Sequence, residues 1–199
     1  MHRLLYYVIL YGAWDLMYME NKVMNIVLIG MPGSGKSTIG VVLAKHLGYT
    51  FVDSDIVIQE RHKKLLCELI DEFGEEGFLK IENEVNKSLD VDRTVIATGG
   101  SAVYSEESML CLKKNSIFVY LKVNNTELDN RVTDLKERGV VTNGKKTMQE
   151  IFDDRSRLYE KYADVTIDED EFSAISVPKI VDEIEELVRR CADSRNIEL

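Results

Sequence analysis

A chain of 199 residues supplies one α/β domain with a substantial core and leaves little room for a second. Hydrophobic residues at 45% and charged residues at 30% are the mixture of a globular protein in water. A formal net charge of −10 argues against a nucleic-acid partner, and three cysteines without metal-ligand spacing fit a reducing, cytoplasmic setting better than a disulfide framework.

The first stretch, MHRLLYYVILYGAW, carries an apolar run from Leu4 to Trp14. It falls short of the roughly 20 residues a bilayer span needs. No small-x-small cleavage site follows it before Asp15. Residues 1–23 are therefore expected to be an extension upstream of the natural start, with Met19 or Met24 as the alternative first residue. A surface-packed or membrane-touching segment is the other reading. The domain is expected over 24–192, followed by a tail at 193–199.

The strand NIVLI then leads into Gly30-Met-Pro-Gly-Ser-Gly-Lys-Ser37, a complete G-x-x-x-x-G-K-[ST] phosphate loop opening a helix over 36–47. Its glycines let successive N–H groups point inward at phosphate oxygens, and the helix N-terminus adds partial positive charge. Gly33, Ser34, Gly35, Lys36, Ser37 and Thr38 are thus candidates for holding ATP. Lys36 would reach the β- and γ-phosphates and Ser37 would coordinate Mg²⁺. The GTPase motif N-K-x-D is missing, since Asn86-Lys87 continues as Ser88-Leu89. In a chain this small, that favours a metabolite kinase.

The second strand, TFVDSD, ends in two carboxylates at i and i+2 of an extended segment, which project to one side. Asp53 is placed to hold Mg²⁺ through water, and Asp55 to orient or deprotonate a substrate hydroxyl. Asp55 capping a helix that starts at Ile56 is the structural alternative. The third strand, TVIATGG, ends in Gly99 and Gly100, where a backbone can lie against a ligand or simply turn.

A helix over 105–114, the strand SIFVYLKV and a helix over 125–136 come next. The polar stretch RGVVTNGKK then suggests a mobile lid, about 137–147, or a plain connecting loop. Thr147-Met-Gln-Glu150 is a capping box opening a helix towards Tyr162. After the strand ADVTID, a final helix at about 177–191 gathers Val177, Ile180, Val181, Ile184, Leu187 and Val188 on one face. The βαβα order reads as a doubly wound α/β fold. Arg131, Arg138 and Arg155, beside a phosphate loop, suggest charge stabilisation in phosphoryl transfer.

GMPGSGKST, the pair Asp53 and Asp55, the TGG of the third strand, Arg131 before the lid and R-x-x-L-Y from Arg155 to Tyr159 together resemble the shikimate kinase family. The resemblance covers about Met24 to Val188. It implies a P-loop NTPase fold with a five-stranded parallel sheet flanked by helices and a closing lid. It also implies transfer of the ATP γ-phosphate to a ring hydroxyl of shikimate, a step in aromatic amino acid biosynthesis. By matching positions, Asp55, Gly100 and Arg155 contact the acceptor, Arg138 is the lid arginine, and Arg131 lies near the adenine.

The chain departs from the family pattern at three places. GGS stands for the triple glycine, and RGVV for the lid's R-P-L-L. In Phe78-Leu79-Lys80-Ile81-Glu82, Leu79 occupies the slot of the arginine of F-R-x-x-E, which grips the substrate carboxylate. One expectation is a shikimate kinase relying on Arg155, with Lys80 assisting. Another is a sister kinase for a less acidic polyol, cyclitol or sugar acid, with Leu79 as an apolar wall. A third is a nucleotide-binding regulatory protein without catalysis, which the presence of Lys36, Ser37, Asp53, Asp55 and Arg138 disfavours. The expected partner is one small hydroxylated molecule, with no membrane and a monomeric chain.

Overall fold

The computed structural model describes residues 24–123, 139–142, 144, 147–168 and 176–195. Five short strands form one parallel sheet: β1 (Asn25–Ile29), β2 (Thr50–Asp53), β3 (Thr94–Ala97), β4 (Ser116–Lys122) and β5 (Val165–Asp168). Their order across the sheet is β2-β3-β1-β4-β5. β1 lies at the centre, with Val27 registered on Ile96 at one side and on Phe118 at the other. All five of its residues are buried. A parallel strand covered on both faces needs such a continuous apolar run, which is why NIVLI is legible as one.

The helices are α1 (Lys36–Leu47), α2 (Ser54–His62), α3 (Leu66–Lys87), α4 (Glu106–Lys113), α5 (Met148–Tyr162) and α6 (Val177–Ser194). A short 3₁₀ turn, Ala102–Tyr104, precedes α4. Alternation along β1 divides the core into two layers. Ile26 and Leu28 pack with Ile39 and Leu43 of α1 and with Ile180, Val181, Ile184 and Val188 of α6. Val27 and Ile29 pack with Met109 and Leu112 of α4 and with Ile151 and Tyr159 of α5. A third, smaller cluster joins Ile58, Leu69, Phe78 and Val85 to Val141.

Local signals set several helix ends. Thr147 Oγ1 accepts from Glu150 N–H at 3.2 Å, and Glu150 Oε2 accepts from Thr147 N–H at 3.1 Å, completing the capping box of α5. Pro178 sits in the first turn of α6, where its missing N–H costs nothing. One boundary differs from expectation. α2 begins at Ser54, and its cap is Asp53, whose Oδ1 accepts from Asp55 N–H at 3.0 Å. Asp55 therefore stands in the first helical turn instead of on an extended segment. α3 contains a break at Gly74, with φ 70° and ψ 170°.

The expected helix over 125–136, with Arg131 and Arg138, lies outside the described residues, as do residues 1–23 and 196–199. Among the described residues no helix is long and apolar enough to cross a membrane. The carboxyl ends of β1, β2 and β3 open on one edge of the sheet, beside the central strand from which the chain leaves in both directions. Open α/β sheets bind ligands at such edges.

Ile184 is fully buried between α6 and the sheet. Ile184→Ala is expected to cost about 2–5 kcal/mol, read as a lower denaturant midpoint at unchanged m-value. A loss well under 1 kcal/mol would contradict this packing.

Candidate active site

The loop after β1 is curled by its glycines and closed by its lysine. Gly35 takes φ 86° and ψ 7°, a left-handed conformation that a side chain disfavours, and starts α1 without any side-chain cap. The first amides of α1 are thus left to a ligand. Lys36 Nζ donates to the carbonyls of Gly30 and Met31, both at 2.8 Å. Its ammonium is buried, and desolvation lowers it to about 8 against the attraction of Asp55. Ser37 Oγ donates to Asp53 Oδ2 at 2.6 Å. A hydroxyl beside a carboxylate is the oxygen donor set that a hard divalent cation takes, with substrate phosphates and water completing its shell.

Across the cleft, the first turn of α2 presents Asp55. Burial, then the neighbouring Asp53, push its carboxyl up to about 6, while Lys36 acts in the other direction. The end of β3 forms the floor. A Cβ on Gly100 would fall 2.8 Å from Pro32 Cδ and 3.0 Å from Arg155 Nη1, so a side chain here would have to displace both neighbours. Tyr159 Oη donates to the Gly100 carbonyl at 2.7 Å and fixes the turn.

Arg155, from α5, is fully buried. Its Nε donates to Tyr104 Oη at 3.3 Å, and Nη2 to the Val141 carbonyl at 2.5 Å. Tyr104 Oη in turn donates to Asp154 at 2.8 Å. Nη1 has no hydrogen-bond partner among the described residues. Arg155 also lines the cleft, and a buried guanidinium in such a lining suits an anionic or strongly accepting group. The segment carrying Val141 is docked across the cleft. Val141 is buried in the third cluster, and the Thr142 backbone N–H and hydroxyl both donate to Glu75 Oε1, at 2.8 and 2.7 Å.

These groups enclose one cavity of about 510 Å³. Gly33, Gly35, Lys36, Ser37 and Thr38 line one side, and Asp55, Gly99, Gly100 and Arg155 the other. A phosphate-type loop therefore faces a carboxylate and a guanidinium across a space sized for small ligands.

A family model described as shikimate kinase matches residues 32–189. The chain belongs to the shikimate kinase family. A shikimate kinase of Haemophilus influenzae (strain PittEE) is 37% identical over 82% of this chain and 93% of its own length. One from Thermodesulfovibrio yellowstonii is 38% identical over 82% and 96%. Among solved structures, shikimate kinase from Acinetobacter baumannii in complex with shikimate aligns with a TM-score of 0.72 at 26% identity, covering 87% of this chain and 97% of that one. Like the shikimate kinases, the chain is a phosphotransferase acting on a hydroxyl group, built on the P-loop NTPase fold.

Against the shikimate kinase pattern, the predicted site residues fall into four groups. The loop residues named above, Asp55, Gly99, Gly100 and Arg155 share the cavity, with Asp53 attached through Ser37. Ser34 lies behind the loop with its Oγ buried and unpartnered among the described residues. Arg131 and Arg138 are not among the residues described. Leu79 is half-buried against the third hydrophobic cluster and does not line the cavity; Phe78 does. One helical step of about 100° separates the two side chains and gives Leu79 a packing task. Lys80 is exposed and pairs with Glu76 at 3.1 Å, so it does not serve the cleft.

Sequence reasoning left Glu82, Ser101 and Tyr104 without roles. Glu82 is buried on the inner face of α3 together with Phe78 and Val85. A carboxylate in an i, i+4, i+7 apolar stripe was the available signal. Tyr104 carried none, because its partner Arg155 is 51 residues away.

Glu75→Ala removes the carboxylate oxygen that accepts both bonds of the Thr142 clamp. Hydrogen bonds to a charged group are worth about 1.5–3 kcal/mol, so the Thr142 amide is expected to lose at least about tenfold of its hydrogen-exchange protection. Unchanged protection would show that Glu75 does not hold this segment.

Proposed function

We propose that the chain is an ATP-dependent kinase that phosphorylates a ring hydroxyl of shikimate. The observation that carries this reading is a single cavity in which Lys36 and the curled loop face Asp55 and Arg155. The loop Gly30–Ser37 holds the triphosphate, and Arg155 holds the acceptor carboxylate with the Gly99–Gly100 turn beneath the ring. Asp55 takes the proton of the attacking hydroxyl as its oxygen bonds to the γ-phosphorus and the bond to the β-bridging oxygen breaks. Lys36 meets the charge that builds on the transferring group. Ser37 and Asp53 would hold Mg²⁺, which supplies positive charge against the β- and γ-oxygens when bound.

Arg138 as a lid cation and Arg131 beside the adenine complete the reading. Residues 24–192 constitute the kinase domain, acting as a cytoplasmic monomer. The docked segment around Val141, tied to both Arg155 and Glu75, is suited to exclude water from the transfer.

A second reading, a less acidic cyclitol or polyol as acceptor, is favoured by one observation. Among the described residues lining the cavity, Lys36 and Arg155 are the cations, and Leu79 and Lys80 bring no charge to it. Only Arg155 is then left for a carboxylate.

An ATP-consumption assay against shikimate, quinate, sugar acids and neutral cyclitols separates the two. Shikimate is expected to exceed any neutral cyclitol in kcat/KM by at least about tenfold, since a desolvated charge pair is worth about 2–5 kcal/mol. A neutral acceptor turning over faster would establish the second reading. Lys36→Met is expected to abolish turnover while circular dichroism shows the fold intact; normal turnover in that variant would refute the placement of the triphosphate.

A further inference from the structure

Glu82 is a fully buried carboxyl on the apolar face of α3. Its Oε2 accepts from Ser101 Oγ at 2.8 Å, while its Oε1 has no hydrogen-bond partner among the described residues. Oε1 lies directly under Gly99. A Cβ built on that glycine would stand 2.3 Å from Glu82 Oε1 and 2.7 Å from Asp55 Oδ1. The two carboxyl groups therefore converge on one point, kept open by the absence of a side chain. The charged groups facing Glu82 are Asp55 of α2, Lys36 of α1 and Arg155 of α5, and none is paired with it within ion-pair distance.

An ionised carboxylate in this place would have one neutral donor and a carboxylate neighbour, an expensive arrangement away from water. Burial first, and Asp55 second, push Glu82 up to about 8, against the Ser101 hydrogen bond and the more distant Arg155 and Lys36. The neutral acid resolves the conflict. It accepts from Ser101 on one oxygen and can carry its proton on the other, which faces the same point beside Gly99 as Asp55 Oδ1.

We propose that Glu82 is a positioning residue whose neutral carboxylic acid clamps Ser101 on one oxygen and presents its proton to Asp55 on the other, fixing two walls of the acceptor site. It rests on the kinase reading, in which Asp55 and the Gly99–Gly100 turn hold the acceptor. Glu82 touches neither substrate; it acts through groups that do. Its influence falls on the acceptor and on turnover, and leaves nucleotide binding unaltered.

The pH dependence follows with a definite sign. Glu82 keeps its proton in the folded protein up to about 8 and loses it near 4.5 when free. Its contribution to stability is complete below the lower value and is lost as pH rises through the upper one. Above about 8, a second negative charge against Asp55 forces the walls apart, and the acceptor KM rises.

Glu82→Gln retains the shape, the acceptor for Ser101 and a donor for Asp55, and cannot ionise. Steady-state kinetics at saturating Mg·ATP with shikimate, from pH 6 to 9, compares it with wild type and with Glu82→Leu. Both proteins of each pair share the Lys36 titration, so differences isolate position 82. Glu82→Gln is expected to rescue turnover at neutral pH and to abolish the alkaline rise in acceptor KM. Glu82→Leu should lower acceptor kcat/KM by about tenfold or more with the ATP KM unchanged. Infrared difference spectra should show a protonated-carboxyl stretch in the wild type at neutral pH that vanishes in Glu82→Gln. The proposal is overturned if Glu82→Gln is as impaired as Glu82→Leu, if its pH profile superimposes on the wild type, or if that stretch is unchanged. Failure of the kinase reading is distinguishable, because the wild type would then turn over no acceptor while the infrared band still reports the proton.

Discussion

The buried ammonium of Lys36 is the constraint around which the cleft is arranged. Taking a cation out of water is costly, and the protein answers with two backbone carbonyls at hydrogen-bond distance and two carboxylates nearby. The carbonyls it uses, those of Gly30 and Met31, belong to the same loop, so satisfying the charge also curls the chain. That curl leaves the amides at the start of α1 uncapped and facing the cavity. A second cation, Arg155, is buried across the cleft with one nitrogen unsatisfied. Two cations lining one cavity, in a chain of net charge −10, concentrate attraction for phosphate and carboxylate in one place.

The sheet makes this arrangement possible. β1 is central and wholly buried, so the loop that follows it is anchored by packing on both faces. β2 delivers Asp53 as the cap of α2, and the capping bond turns the chain so that Asp55 enters the cleft one helical turn from the strand. β3 delivers two glycines where backbone must lie against neighbouring side chains. Shikimate kinases of known structure share this frame. This chain departs from the family pattern behind that frame: Leu79, in the arginine's slot, packs into a hydrophobic cluster, and Ser101, in place of the third glycine, donates to Glu82.

The sheet and the loop were readable from the chain because their causes are local. Continuous Val and Ile runs, a glycine-patterned turn and the Thr147 box each lie within a few residues, and each appears as read. The start of α2 was misplaced by two residues, since Asp53 and Asp55 are equally good caps by type and only the backbone path decides between them. Leu79 was a candidate wall of the site because it takes the slot of the family's arginine, yet it is Phe78 that lines the cavity; a single residue's rotation separates pocket from packing. Glu82 escaped for the opposite reason. A charged side chain argues for exposure, and the contacts that keep it inside, Ser101 and Asp55, come from distant parts of the chain. The stretch after residue 137 was legible as a polar, glycine-containing interruption, but the ties of Val141 to Arg155 and of Thr142 to Glu75 depended on packing no local pattern encodes.

The central claim is that the loop closed by Lys36 takes up the triphosphate of Mg·ATP. Isothermal calorimetry of the purified chain addresses it without reference to any acceptor. Saturable, magnesium-dependent uptake of about one ATP per chain is the predicted result. No detectable heat of binding up to millimolar nucleotide would contradict the account.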